Sequence, residues 1–413
     1  MRRIDWPRRA LLGAYVLFLP LLAQAQTSTW EAWLASQIQQ HPDVLAAREQ
    51  WLGAKASADA LEQPLYNPEV STDLERIGEE DNYRAGVSQT IDWWGRRGAR
   101  QQQASYLRSG AESLYRQQVL DKTAEALAAL VEWHAAKRAA DVVQAQQQQL
   151  NTLLKLVEKR QQAGDLGSVD AELTFLSLSQ QLAQVAEVEA ALQKTETRVR
   201  ELLREWSPER SGIPDDFWPS PSGSPTDKAL LNHPDVASAY ARWQSLKEKA
   251  EVTRRAAKAD PTLGFNVGRD GGENVVGLSL SIPLNVRNDF SAETRAAYQA
   301  ALEAEARFQA VYRKQRFDWQ AALAAWQRFD QQYRRWQTLV QGRITNSAEL
   351  LERQWRSGDL STTDYLLALN QRAESLRAGI ELEKQTRLAL TEVLQQSGSL
   401  MRTTMPATTP TNE

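Results

Sequence analysis

A repeat within the chain constrains its fold more than any other sequence feature. His41-Pro42-Asp43-Val44 recurs as His233-Pro234-Asp235-Val236, at an offset of 192 residues. Two further matches lie at offsets of 191 and 194: residues 86–91 with residues 277–282, and Gly164-Asp165-Leu166 with Gly358-Asp359-Leu360. Three ordered matches at nearly one offset predict two copies of a single unit of about 190 residues.

The predicted copies span residues 26–206 and 227–398, and the Pro-, Ser- and Gly-rich stretch 207–226 is interpreted as a connector. Each copy contains a helical stretch, a β-hairpin, a very long helix and a last helix. In the first copy these cover residues 31–62, 68–92, 96–162 and 168–205. In the second copy they cover residues 227–258, 262–284, 290–356 and 362–397, and residues 399–413 are predicted to be a disordered tail.

The first residues have the pattern of a secretory signal peptide. A basic start precedes an apolar run from Ala10 to Leu22, and Ala23-Gln24-Ala25 is a small-x-small cleavage signal. The run is shorter than the roughly 20 residues that a membrane-spanning helix needs. We therefore expect residues 1–25 to be removed. Loss of four Arg and one Asp takes the net charge from −3 to about −6, which argues against nucleic acid as a partner.

The long helical stretches require partners. A helix of about 67 residues is about 100 Å long, a length typical of coiled coils. In the second copy apolar residues recur in steps of 3 and 4 along Trp319, Ala322, Trp326, Phe329, Tyr333, Trp336 and Val340. A similar seam follows Leu178, Leu182, Val185, Val188, Leu192, Thr195, Val199 and Leu202. We assign these side chains to packing, and a soluble coiled coil would show the same pattern.

The predicted hairpins alternate between apolar and polar residues, which is typical of a two-sided sheet. In the first copy the apolar positions are Val70, Thr72, Leu74, Tyr83, Ala85, Val87, Gln89 and Ile91. In the second copy they are Leu263, Phe265, Val267, Val276, Leu278, Leu280 and Ile282. The segments have about 9–10 residues, the length of a tilted membrane strand, and their turns are polar and rich in glycine.

Four strands cannot close a barrel, because about eight strands are the known minimum and open edges are not tolerated in lipid. If the strands enter a membrane, several chains must share one barrel, and three chains give twelve strands. The alternative is a small sheet that caps a soluble coiled coil. Trp93 and Trp94 lie between hairpin and long helix, and we predict them as membrane-interface aromatics.

These features together resemble the outer-membrane factor family that includes TolC. The resemblance covers residues 30–397 and rests on the duplicated order of elements, the His-Pro-Asp-Val pair, the segment 89–97 (QTIDWWGRR) and the Gly-Asp-Leu breaks. Asn67-Pro68-Glu69-Val70 followed by that segment is most similar to the CzcC type, which serves cobalt, zinc and cadmium efflux. Unlike many relatives, the chain has no N-terminal cysteine for acylation, and it has no cysteine at all.

The resemblance implies a mainly α fold with a membrane β part: a homotrimer with a 12-stranded β-barrel in the outer membrane and a long α-helical coiled-coil barrel in the periplasm. It implies two partners, a periplasmic adaptor (membrane fusion protein) and an inner-membrane pump of the resistance–nodulation–division class. The expected function is a passive efflux duct, not an enzyme, with heavy-metal cations as cargo. Alternatives are multidrug efflux, type I secretion, and a periplasmic coiled-coil adaptor protein.

The resemblance also places the periplasmic tips at the two glycine breaks. The implied adaptor-docking residues are Gly164, Asp165, Leu166, Gly358, Asp359 and Leu360. Asp170 and Asp364 match carboxylates that line the constricted periplasmic gate, and three chains would form a ring of six that attracts cations. Capping of the following helix is the alternative role for Asp170 and Asp364, since both fall in a first turn. Asp165 and Asp359 could equally be solvated turn residues.

The sequence contains no motif for enzymatic chemistry. It has no nucleotide-binding loop, nucleophile elbow or zinc motif, and three histidines without a cysteine form no soft-metal cluster. His41 and His233 both precede proline and are predicted to start helices. We therefore predict no catalytic residue, no metal site and no cofactor.

Overall fold

The computed structural model describes residues 29–164, 168–209, 213–214, 217–221 and 223–401. The predicted signal peptide, Asp165 and Leu166 lie outside these residues. The first half contains α1 (Thr29–Gln39), α2 (Pro42–Glu62), β1 (Glu69–Ile77), β2 (Glu80–Thr90), α3 (Arg96–Gln162) and α4 (Ser168–Leu202). The second half contains α5 (Asp227–Asn232), α6 (Pro234–Ala256), β3 (Thr262–Asp270), β4 (Glu273–Ser281), α7 (Ser291–Trp336), α8 (Gly342–Ser357) and α9 (Thr362–Gln396).

Histidine begins the second helix of each half. His41 and His233 have extended backbones with ψ of 134° and 131°, which a following proline favours. Their Nδ1 atoms accept hydrogen bonds from the N–H groups of Asp43 and Asp235, at 3.2 and 3.4 Å. These caps confirm the predicted role of both histidines. They also divide each predicted helical stretch, 31–62 and 227–258, into a short and a longer helix.

The longest helix, α3, runs for 67 residues with the predicted bounds. Gly95 precedes it with φ of 67°, a conformation that glycine adopts without strain. Both carboxylate oxygens of Asp92 accept the first free N–H groups, those of Arg96 and Arg97, at 2.8 and 2.7 Å. Because α3 packs against α2, α4, α6 and α9, it is the central helix of the molecule.

The sequence predicts one continuous second long helix over residues 290–356, but in the structure this helix is interrupted. A π-helical turn, Gln337–Gln341, separates α7 from α8. A π-turn adds one residue to the helix and shifts the following faces by one position. The seam, regular as far as Val340, continues through the buried Ile344, the half-buried Leu351 and the buried Trp355. Without the shift, the heptad spacing would place Arg343, Leu350 and Gln354 in the seam. The shift by one residue places Ile344, Leu351 and Trp355 there instead.

Two apolar clusters hold the helices together. The larger one joins α1, α2 and α3 to the end of α4 and of α9, and it includes Phe217 of the predicted connector, with Trp218 against it. Leu400 and Met401 are also buried there, so the ordered chain extends beyond the predicted start of the tail at 399. The smaller cluster lies at the far end of α3, between Leu150–Val157, α8 and the start of α9.

The two hairpins form one antiparallel sheet in the order β1-β2-β3-β4. Strands β2 and β3 pair from Tyr83–Arg269 to Thr90–Thr262, so each half contributes one hairpin to a shared sheet. The N–H of Ile91 continues this pairing to the carbonyl of Pro261, at 2.9 Å. The outer edges of β1 and β4 have no partner strand among the described residues.

Candidate membrane sheet and helical tips

One face of the sheet is apolar across all four strands. The register places Val70, Val87, Phe265 and Leu278 in one row, with exposures between 50 and 86%. The next row consists of Thr72, Ala85, Val267 and Val276. The pairing of β2 with β3 therefore aligns the apolar positions of the two hairpins on one face. No described part of the chain covers the resulting apolar surface.

The apolar stripe continues past the end of β4. Every second residue from position 276 is apolar and at least half exposed: Val276, Leu278, Leu280, Ile282, Leu284 and Val286. At about 3.3 Å per residue, the nine residues of β4 alone are about 30 Å long. The apolar face is thus longer than the hydrogen-bonded sheet.

The opposite face is polar and crowded. One of its rows consists of Ser71, Gly86, Asn266 and Gly277. A Cβ at Gly277 would lie 2.3 Å from Asn266 Oδ1, and a Cβ at Gly264 would lie 2.3 Å from Ser279 Oγ. Side chains converge on the concave side of a curved sheet, so glycine here allows the sheet to curve toward its polar face.

The predicted interface aromatics lie at the base of the sheet, where β2 leads into α3. Trp93 is 67% exposed and Trp94 is 42% exposed. The Trp94 Nε1–H donates to the carbonyl of Ala259 at 2.9 Å, and the Lys258 ammonium lies 4.2 Å from the Trp94 ring centroid. Trp94 therefore joins the two halves of the chain and is also accessible.

A partly buried polar cluster next to Trp94 was missed by the sequence analysis. Arg96 Nη2 donates to the Tyr66 hydroxyl at 2.6 Å, and that hydroxyl donates to Asp260 Oδ2 at 2.8 Å. The Asp260 side chain is 7% exposed and lies 3.8 Å from Arg96. Tyr66 and Arg96 belong to the first half and Asp260 to the second, so this cluster joins the two halves below the sheet.

The second helical tip is fully described. Gly358 has φ of 85°, as predicted for a tight turn. The Ser361 hydroxyl accepts from the Asp364 N–H at 3.1 Å and donates to Asp364 Oδ2 at 2.7 Å. Asp364 is exposed and takes part in the capping of α9. Asp359 accepts from the Ser357 hydroxyl at 2.8 Å and is also exposed.

The first tip is described only in part. Gly164 has φ of 81° and is exposed. Asp170 is half-buried in the first turn of α4, and its carbonyl accepts from the Thr174 hydroxyl at 2.8 Å. Its position agrees with either proposed role, helix capping or a gate.

Both tips lie at the same end of the molecule. Leu150, Leu153 and Val157 of α3 pack with Trp355 of α8 and Tyr365 of α9. The Arg160 guanidinium lies 5.2 Å from the Trp355 ring centroid, and Trp355 stacks on Tyr365. Leu360 is half-buried and packs against this cluster, and its predicted docking role stays a prediction.

The phenol of the tip cluster is buried. Its burial raises the pKa of Tyr365 above its ordinary value. Across the described residues, no group of three or more His, Cys, Asp or Glu side chains has metal-binding geometry.

No described helix is both long and apolar enough to cross a bilayer.

Comparison with known proteins defines the class of this fold. No family model matches the sequence, and no curated protein matches it. The structure, however, is similar to that of the Campylobacter jejuni CmeC outer-membrane channel, with a TM-score of 0.70 and 14% identity over 96% of this chain and 94% of the other. The fold is therefore that of solved outer-membrane channels.

Two further solved structures give the same result. CusC, described in the context of transmembrane channel formation, has a TM-score of 0.74 and 13% identity over 95% of this chain and 98% of its own. The open state of the Neisseria gonorrhoeae MtrE outer-membrane channel has a TM-score of 0.70 and 15% identity, covering 89% and 88% of the two chains. The described chain thus spans nearly the whole of these channels.

Proposed function

We propose that this chain is one protomer of a homotrimeric outer-membrane channel that extends into the periplasm. It acts as the passive exit duct of a tripartite efflux system and has no catalytic residue. The observation that carries the proposal is the exposed apolar face of the sheet. An uncovered apolar face of this size is unstable in water and suited to lipid. The two open edges must then pair with sister chains, because lipid cannot satisfy their backbone groups.

The dimensions of the face agree with a membrane location. Strand β4 is about 30 Å long, and at the usual tilt of about 40° it covers about 23 Å, close to the height of about 25 Å of the apolar band of an outer-membrane barrel. In the proposed barrel the sheet curves toward its polar face, so that Ser71, Asn266 and the glycine positions line a water-filled interior.

The free edges support a ring of identical copies. One side of the protomer carries β1, α2 and α4, and the other side carries β4, α7 and α8. On α4, Val169, Leu173 and Leu176 are exposed; Leu302 and Phe317 of α7 and Leu350 of α8 are exposed as well. Two different surfaces on opposite sides pair head to tail, and such contacts form a ring when the rotation closes.

Three copies fit this ring, because they supply twelve strands, more than the minimum of about eight that a closed barrel needs. Leu173 and Leu350 lie on opposite edges at similar depths from the tip glycines. Since the chain contains no cysteine, a Leu173→Cys/Leu350→Cys variant tests the arrangement directly. Oxidation is expected to give covalent species that end at three copies. Each single-cysteine variant is the control and gives at most a minor dimer. Cross-links confined to one chain would contradict the ring.

The tips are the proposed docking sites for a periplasmic adaptor, through Gly164, Asp165, Leu166, Gly358, Asp359 and Leu360. An inner-membrane pump would supply the energy. Heavy-metal cations such as cobalt, zinc and cadmium are the proposed cargo, supported by the sequence resemblance and the carboxylates Asp170 and Asp364. A deletion strain should become more sensitive to these metals. Sensitivity to dyes and antibiotics alone would favour a multidrug duct instead.

A further inference from the structure

The base of the sheet combines accessible apolar and cationic side chains. Trp93, Leu284 and Val286 are exposed by 67, 78 and 84%. Arg97, Lys258 and Arg287 are exposed around them. We call these six residues the basal patch. It continues the apolar sheet face toward the helices.

Hydrogen bonds between backbone and side chains hold the three segments of the basal patch together. Trp94 Nε1 donates to the carbonyl of Ala259, which joins the segment before α3 to the residue after Lys258. Asn285 Nδ2 donates to the carbonyl of Ala257 at 2.7 Å, which joins the segment between Leu284 and Val286 to the residue before Lys258. The cations of the patch therefore lie within three residues of these links.

These cations form no ion pair with a described carboxylate, whereas two of the three cations at the other end of the sheet do. No described carboxylate forms an ion pair with Arg97, Lys258 or Arg287. At the turn end, Arg76 pairs with Asp81 at 3.4 Å, Arg84 pairs with Asp270, and Arg269 donates to the carbonyl of Gly272. The positive charge available to a ligand is thus concentrated at the base.

We infer that the basal patch binds the headgroup of an anionic phospholipid in the inner leaflet, with the acyl chains along the apolar sheet face. The inference rests on the proposed membrane location. An apolar surface beside unpaired cations matches an amphiphile with a phosphate, and Trp93 lies at the depth where indoles prefer the interface.

The test is native mass spectrometry of the full chain in neutral detergent, with phosphatidylglycerol or phosphatidylcholine added. The wild type is expected to bind phosphatidylglycerol more tightly than phosphatidylcholine. An Arg97→Gln/Lys258→Gln/Arg287→Gln variant should lose roughly fivefold in phosphatidylglycerol affinity for each cation removed, with phosphatidylcholine binding unchanged. The matched control is Arg76→Gln/Arg84→Gln/Arg269→Gln, which removes the same charge at the turn end and should bind like the wild type.

Equal affinity of the wild type for both lipids would overturn the inference, and so would equal losses in the two triple variants. Circular dichroism and copy number verify that both variants fold. Single-channel recording separates this inference from the proposed function. If both triple variants conduct normally but the Arg97/Lys258/Arg287 variant still binds phosphatidylglycerol as the wild type does, only the lipid site is contradicted. Absence of current from the wild type contradicts the channel itself.

Discussion

Trp336 of α7 packs directly on the backbone of Gly379 in α9. A Cβ at position 379 would lie 2.1 Å from Trp336 Cζ2. The indole also stacks with Tyr333, with an interplanar angle of 7°. Trp336 is the last residue of α7, so this contact fixes the helix at the point where the π-turn begins.

Replacement of Gly379 by alanine should therefore displace Trp336. We expect a loss of about 1–3 kcal/mol in the free energy of unfolding, the usual cost of overpacking. Thermal or denaturant unfolding in detergent measures it. Gly53→Ala in α2 is the control, because no atom lies within 4 Å of its added Cβ, and it should stabilise the helix by about 0.5–1 kcal/mol. Equal midpoints for Gly379→Ala and the wild type would disprove the close contact.

Deletion of Gln341 tests the origin of the π-turn. Without this residue, Ile344, Leu351 and Trp355 fall on the same 3–4 heptad as Trp336 and Val340, so an uninterrupted α-helix satisfies the seam. The variant should keep its helicity and a thermal midpoint within a few degrees of the wild type. Deletion of Leu350 moves Leu351 and Trp355 off the seam and should lower the midpoint strongly. Similar losses in both deletions would refute the register account.

The helices show how far the sequence predicts this fold. The bounds of α3 and the seam from Trp319 to Val340 follow from apolar spacing, because a long helix has no other way to bury those side chains. The π-turn was missed, although the change of phase between Val340 and Ile344 is visible in the sequence. A heptad search stops at such a change, and only the position of Trp355 in the tip cluster shows that the seam continues.

Acidification should weaken the cap at His233. Burial lowers the pKa of this imidazole below its ordinary value. Hydrogen bonding to the carbonyl of Gln395 and the charges of Asp235 and Asp121 raise the pKa, but by less than burial lowers it. The neutral ring accepts from the Asp235 N–H through Nδ1 and contacts that carbonyl at 3.3 Å through Nε2. Protonation removes the acceptor.

The sign of the pH effect follows from the lowered pKa. The stability contribution is complete above the unfolded-state pKa of about 6.5. Below it, stability falls by at most about 1.4 kcal/mol per pH unit until the folded-state pKa is reached. His233→Asn keeps a capping side chain and should flatten the midpoint between pH 7 and 5, measured by thermal unfolding. His41→Asn is the matched control at the other cap. An unchanged slope in His233→Asn would exclude this role.

The candidate site was predictable only where its residues are close in sequence. Alternation in each hairpin identifies the apolar face, and the segment 89–97 identifies Trp93 and Trp94. The contact of Tyr66 with Asp260 was not predictable, because 194 residues separate them and neither residue belongs to a motif. It arises from the pairing of β2 with β3, which sequence periodicity does not specify.

The carboxylates at the tips should make the channel prefer cations. Asp170→Asn/Asp364→Asn removes six negative charges from a trimer and retains side chains that can cap a helix. The reversal potential in a salt gradient should shift toward the value of a channel without ion selectivity. Circular dichroism should show that the variant keeps its fold. Glu79→Gln/Asp81→Asn, at the opposite end of the molecule, is the control. Identical reversal potentials in the tip variant and the wild type would leave capping as the only role.

The central claim is that the apolar sheet face lies in lipid and is closed by sister chains. The most direct test is purification of the protein from membranes, followed by mass measurement and single-channel recording in planar bilayers. The account predicts particles of three copies that insert and give discrete, stable currents. A monodisperse monomer in detergent-free buffer, with no current at any protein concentration, would contradict it.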